Sequence, residues 1–166
     1  FLQFSEDAVR GWLDTTATLD AEFLAAHRNW RRLRGLDPDL GYPGLRFVLL
    51  HSFAHALMRQ LSLECGYSTA SIRERIYSQA GDDDQDAMAG VLLYTAASDS
   101  EGTLGGLVSL GDPATLGYHM GQALDGIRLC GADPLCAMHR RGGKGLTLHS
   151  AARHACFFAP GTTWRR

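Results

Sequence analysis

The chain has 166 residues, a formal net charge of -2, and a composition that is 45% hydrophobic and 20% charged. That suits one globular domain with a genuine core and excludes global attraction to nucleic acid. No run of about 18 apolar residues occurs, so no membrane-spanning helix and no membrane partner are expected. The opening Phe1-Leu2-Gln3-Phe4 has neither an initiator Met nor a signal-like region, so the chain reads as a piece cut from something longer or as a trimmed form, with a cytoplasmic location expected.

In chain order, Ser5 is placed to cap a first helix, with Phe4 stapling onto Val9. A second helix is predicted from Asp20, stapled by Leu19 and Leu24, through Trp30 to Arg34, stopping at Gly35. Residues 1–40 are read as an N-terminal helical segment and 41–166 as the main body of one compact unit. Gly35 to Gly44, with Pro38 and Pro43, is a connector. From Leu45 to Cys65, Phe47, Leu50, Phe53, Ala54, Leu57 and Leu61 recur at helical spacing and predict the central core helix. Ser71 with Glu74 matches a capping box, predicting a helix that Gly81 ends. Asp82, Asp83, Asp84 and Asp86 form an exposed acidic loop. Gly90–Thr95 is a short apolar run read as a buried strand. Asp112 with Pro113 opens a last helix to about Leu129, with Leu116, Met120, Leu124 and Ile127 facing inward. Beyond Cys130 the chain reads as loop. The expected fold is α/β and predominantly helical: a long central helix packed on a small sheet, with an irregular cysteine-bearing tail.

Four groups of residues could carry chemistry. Of the four cysteines, Cys130, Cys136 and Cys156 crowd the last third. Without a secretory signal they suggest a metal site in a reducing compartment rather than disulfides. Tetrahedral zinc would need a fourth ligand, with His139, His149 and His154 in reach; the plainer reading is buried thiols, as for Cys65 at a helix end. His51 and His55, four apart on the central helix, project from one face, the spacing at which a helix offers two imidazoles to one metal. Ser52 stands where a zinc protease has its Glu base, and Glu64 lies about 13 Å too far along the axis. The alternative is a pair of core-boundary histidines. Asp99, Ser100 and Glu101, at the exit of the strand, could join the histidines in a polar network or hold a metal with them, or could simply satisfy a turn. Arg28, Arg31, Arg32 and Arg34, and later His139, Arg140, Arg141, Lys144, Arg165 and Arg166, are basic clusters that read as solvated surface or as phosphate contacts. No Gly-x-x-x-x-Gly-Lys-Ser/Thr run and no Gly-x-Ser-x-Gly elbow is present.

Taken in order, Leu49-Leu50-His51-Ser52-Phe53-Ala54-His55, Leu63-Glu64-Cys65-Gly66-Tyr67-Ser68, Ser71–Tyr77, Gly90–Thr95, Ser98–Leu107, Cys130–Cys136 with Asp133-Pro134, and His149–Cys156 resemble one family. The resemblance is to the MZB domain, the zinc-binding domain at the C-terminus of Mrf-type DNA-repair helicases. It looks like the copy in the B component of the DISARM phage-defence system. It runs from about Gly41 to Thr163. It implies a four-cysteine zinc site, to which Cys130, Cys136 and Cys156 correspond. Arg153 and Trp164 stand where the family has further cysteines, so His149 or His154 substitutes or the metal is lost; His154 completes the expected set. The resemblance further implies a non-catalytic accessory domain of a helicase or phage-defence complex. Its partner would be a DNA helicase subunit, with DNA contacts through Arg28, Arg31, Arg32, Arg140 and Arg141. The rival expectation is a metal-dependent hydrolase built on His51, His55, Asp99 and Glu101.

Overall fold

The computed structural model describes residues 1–65, 71–83, 85–95 and 104–128. Elements follow in the order β1 (Leu2–Gln3), α1 (Glu6–Thr15), α2 (Ala17–Arg32), α3 (Leu45–Cys65), β2 (Ile72–Tyr77), β3 (Gly90–Thr95), α4 (Leu104–Ser109) and α5 (Pro113–Gly126). The architecture is predominantly helical, with a small antiparallel sheet.

Local chemistry sets several boundaries. Ser5 Oγ accepts from Ala8 N at 3.3 Å, and Glu6 and Asp7 in the first turn of α1 complement its dipole. Asp112 accepts from the amides of Ala114 and Thr115 at 3.2 and 3.4 Å, with Pro113 at the first helical position of α5. Thr16 occupies the cap of α2, so that helix begins at Ala17, ahead of the expected Asp20. Asp20 lies inside α2 and serves the next helix instead. Its Oδ1 accepts from the Leu45 amide at 3.1 Å and from the Tyr42 hydroxyl at 2.6 Å. It thus satisfies a free N–H at the start of α3 from across the fold. Burial of the Tyr42 phenol and its contact with Asp20 push its pKa up.

The 21 residues of α3 form the axis of the molecule. The helix is buried on successive faces along its length, as a core helix must be. At its start, Leu45 and Val48 meet Phe23 of α2, with Trp12, Leu13, Leu19 and Tyr42 around them. Arg46, itself buried, reaches α1 and makes a two-pronged pair with Glu6. The Arg46 guanidinium holds the Glu6 carboxyl below the usual range. In the middle, Leu50 and Ala54 pack with Val9, Ala89 and Val91, and Phe4 joins that cluster with its ring edge-on to Phe53. Further along, Ala56, Leu57, Met58 and Leu61 pack with Ile72 of β2 and Ala123 of α5.

The sheet has the order β1-β3-β2, all pairs antiparallel. Residues 72–77, expected as a helix from the Ser71/Glu74 capping box, are strand β2, paired to β3 with Ile72 opposite Thr95 and Glu74 opposite Leu93. Ile72-Arg73-Glu74-Arg75-Ile76-Tyr77 alternates with period two. Pairing with β3 satisfies its backbone on that edge and buries Ile72 and Ile76 toward α3, which a cap alone does not match. Arg73, Arg75 and Tyr77 take the other face, where the Arg75 guanidinium lies 5.3 Å from the centre of the Tyr77 ring. The loop back to β3 turns at Gly81, whose φ of +81° suits glycine, and its acidic residues are exposed as expected, Asp84 lying outside the described residues.

The inward side of α5 differs from expectation. Leu116 and Met120 face the core, but Leu124 and Ile127 are exposed, and His119 and Ala123 are the buried residues. The small Ala123 lets α5 lie close against Ala56 of α3.

Candidate functional site

The face of β2 turned to α3 carries Ile72, Glu74 and Ile76, beside Val91 and Leu93 of β3. Among the described residues, Glu74 is the lone carboxylate of that apolar face. A buried anion needs partners. It finds them on α3, where His51 and His55, four residues apart, project toward the sheet from one side of the helix. The Nε2 atoms of His51 and His55 each lie 3.6 Å from Glu74 Oε1. The imidazole centroids are 4.5 Å apart with their planes at 86°. Side-chain exposure is 9% for His51, 2% for His55 and 10% for Glu74, so all three groups are withdrawn from water.

Burial by itself would push the Glu74 carboxyl up. Polar contact with the two facing imidazoles, and the charge they can carry, outweighs burial and holds the carboxyl down at about 2. Glu74 therefore stands as an anion between two nitrogen donors. One ligand atom from each of the three residues lies within 4.8 Å of the other two. Two imidazole nitrogens and one carboxylate oxygen are a donor set that zinc accepts.

The spacing of His51 and His55 thus marks a candidate site, and the carboxylate that meets the pair among the described residues is Glu74. Asp99, Ser100 and Glu101 lie outside the described residues, as do Cys130, Cys136, Cys156, His139, His149, His154, Arg140 and Arg141. Glu74 was hidden behind the capping-box match. The signal that could have found it is a single acidic residue at the centre of an Ile-x-Glu-x-Ile alternation.

Two of the early arginines are drawn to the connector that follows α2. Arg28 pairs with Asp39 at 2.8 Å, and Arg31 Nε donates to the Asp37 carbonyl. Arg34 stacks 4.4 Å from the Trp30 ring centre. Arg32 is exposed at the end of α2. Nearby, His27 is buried against Trp30 and Tyr42, with Nε2 3.1 Å from the Leu40 carbonyl. Among the described residues no helix is long and apolar enough to cross a membrane.

Comparison with known proteins adds two findings. The family model of the MrfA Zn-binding domain, MZB, matches residues 53–157. The chain is also 37% identical over 140 residues to the DISARM protein DrmB of Bacillus paralicheniformis. That alignment takes in 82% of this chain and 24% of the relative, so the chain spans about a quarter of the relative's length.

Proposed function

Because the chain belongs to the MZB domain family, we propose that it is a zinc-binding accessory domain of a larger DISARM-type defence protein, acting beside a DNA helicase without catalysing a reaction of its own. The observation that carries this reading is the alignment with DrmB, which takes in most of this chain but a small part of that protein. A match of that extent supports reading the chain as one module of such a protein. In this reading residues 1–40 brace the start of α3, and residues 41–166 form the body of the domain in a cytoplasmic assembly.

Zinc is the metal the family description names. Of the described residues, His51, His55 and Glu74 suit it by donor chemistry. Cys130, Cys136, Cys156 and His154 are the proposed ligands of the tail. Zinc held by either set would cross-link segments of chain that are remote in sequence. DNA contact would run through exposed Arg32 with Arg140 and Arg141. Arg28 and Arg31 would join by exchanging their loop partners for phosphate, since exposed ion pairs are weak and easily replaced.

The test is to mix the purified chain with a DNA helicase from a DISARM-type system, and separately with short DNA duplexes and single strands, at low salt. Binding to the helicase is expected. Binding to DNA that falls steeply with salt would add the phosphate contacts. If neither binds, the accessory reading fails.

One observation favours a second reading. Two imidazoles and a carboxylate are also the protein ligands of hydrolytic zinc sites. Asp99 or Glu101 would then supply the general base that Ser52 does not. This hydrolase reading requires turnover of a phosphodiester or peptide by the zinc-bound chain that His55→Ala abolishes.

A further inference from the structure

We propose that His51, His55 and Glu74 form a metal centre in their own right, taking one divalent ion of the zinc type, separate from any ion held by the cysteines of residues 129–166. The proposal stands on the geometry of the core and is independent of the helicase reading.

Three observations converge on it. First, both Nε2–Oε1 separations are 3.6 Å, longer than an N–H···O hydrogen bond. They are close to the spacing of two ligands on one zinc ion: bonds of about 2.0–2.1 Å at tetrahedral angles put ligand atoms about 3.4 Å apart. Small rotations of the side chains would bring all three donors onto one ion. Second, the three donors are gathered and withdrawn from water together: one ligand atom from each lies within 4.8 Å of the other two, and the side chains are 2–10% exposed. A single divalent cation answers both nitrogen lone pairs and the carboxylate together. Third, the donors come from rigid elements. The histidines are fixed by their spacing on α3, and Glu74 is fixed by the β2–β3 register, so the site is organised before the ion arrives. An ion there would fasten the central helix to the edge of the sheet.

The experiment measures metal content and ligand type, not activity. The chain would be stripped with a chelator and titrated with zinc and with cobalt. Three forms would be compared: the wild type, a variant carrying Cys130→Ser, Cys136→Ser and Cys156→Ser, and His55→Gln. The cysteine variant is expected to keep one equivalent of metal. Its cobalt spectrum should show d–d bands without thiolate-to-metal charge transfer, and X-ray absorption should show nitrogen and oxygen neighbours alone. His55→Gln should lose that equivalent, with affinity lowered roughly a hundredfold or more, since losing even an outer partner of a ligand costs about 10- to 100-fold. Because His55→Gln could disturb the core, Glu74→Asp serves as the second variant. It keeps the carboxylate but shortens its reach, and should weaken metal binding while far-UV circular dichroism stays unchanged. A cysteine variant that folds but binds no metal, or one whose metal survives both His55→Gln and Glu74→Asp unchanged, overturns the proposal.

Discussion

Replacing Glu74 with Gln in the metal-free protein tests the electrostatics of the site directly. The amide keeps the shape of the carboxyl but cannot ionise. In the fold the carboxyl is held down from an ordinary value of 4.5 to about 2, a difference that corresponds to about 3 kcal/mol. Little of this is screened, because the side chain is 10% exposed. The folded-state value is depressed, so the stabilisation is present in full above the ordinary value and is lost as pH falls toward 2. Urea unfolding of both proteins, in chelator, at steps from pH 7 to pH 2 provides the measurement. Glu74→Gln should be less stable by up to about 3 kcal/mol above the ordinary carboxyl range, and the gap should close on the acid side. Acidic groups remote from the site titrate alike in both proteins and cancel in the difference. A gap under about 0.5 kcal/mol at pH 6, the size of an ordinary surface substitution, would refute the reasoning. So would a gap that does not narrow with acid.

Four further outcomes are expected. With Cys130, Cys136 and Cys156 replaced by Ser, so that the tail ligands are removed, zinc at about a hundred times its dissociation constant should stabilise the protein by about 2.7 kcal/mol, and far less when Glu74→Gln is added, as read from thermal midpoints. Arg46→Met should cost about 2 kcal/mol, below the range for a fully buried pair because Glu6 is partly exposed; a double-mutant cycle with Glu6→Gln should show the coupling. Tyr42→Phe should cost about 1 kcal/mol through the lost hydroxyl, and Asp20→Ala more, because it also strips the Leu45 amide of its acceptor; urea midpoints separate the two. Gly81→Ala should destabilise by about 1–2 kcal/mol, since a Cβ there would stand 2.8 Å from the Ala87 amide nitrogen at a φ of +81°.

What could be read from the sequence was what is decided locally. Ser5 and Asp112 bond amides two or three residues away, so their helices could be placed from neighbours alone. The spacing of His51 and His55 is likewise a property of one helix. Glu74 was misassigned because the Ser71/Glu74 match is also local, and the competing pattern of Ile72 and Ile76 gains its weight from pairing with β3. Asp20 resembled a cap for its own helix, yet it caps α3, a relation made by tertiary contact. On α5 residue size points correctly to Leu116 and Met120 but not to the next turn. Leu124 and Ile127 are larger than Ala123, but close approach of two helices favours the small residue. The partners of Arg28 and Arg31, Asp39 and the Asp37 carbonyl, were not legible because they become neighbours only when the connector folds back along α2.

The reach of Asp20 and Glu6 into α3 bears on where this domain can be cut. A fragment started at residue 53, where the family match begins, would open in mid-helix and discard His51. A fragment started at residue 41 would keep the histidines but remove both Glu6 and Asp20, leaving Arg46 a buried cation without its anion and the first turn of α3 without its acceptor. The segment before α3 is therefore a built-in brace for the helix that presents the imidazoles, and truncations that omit it should be judged first by whether that helix still forms.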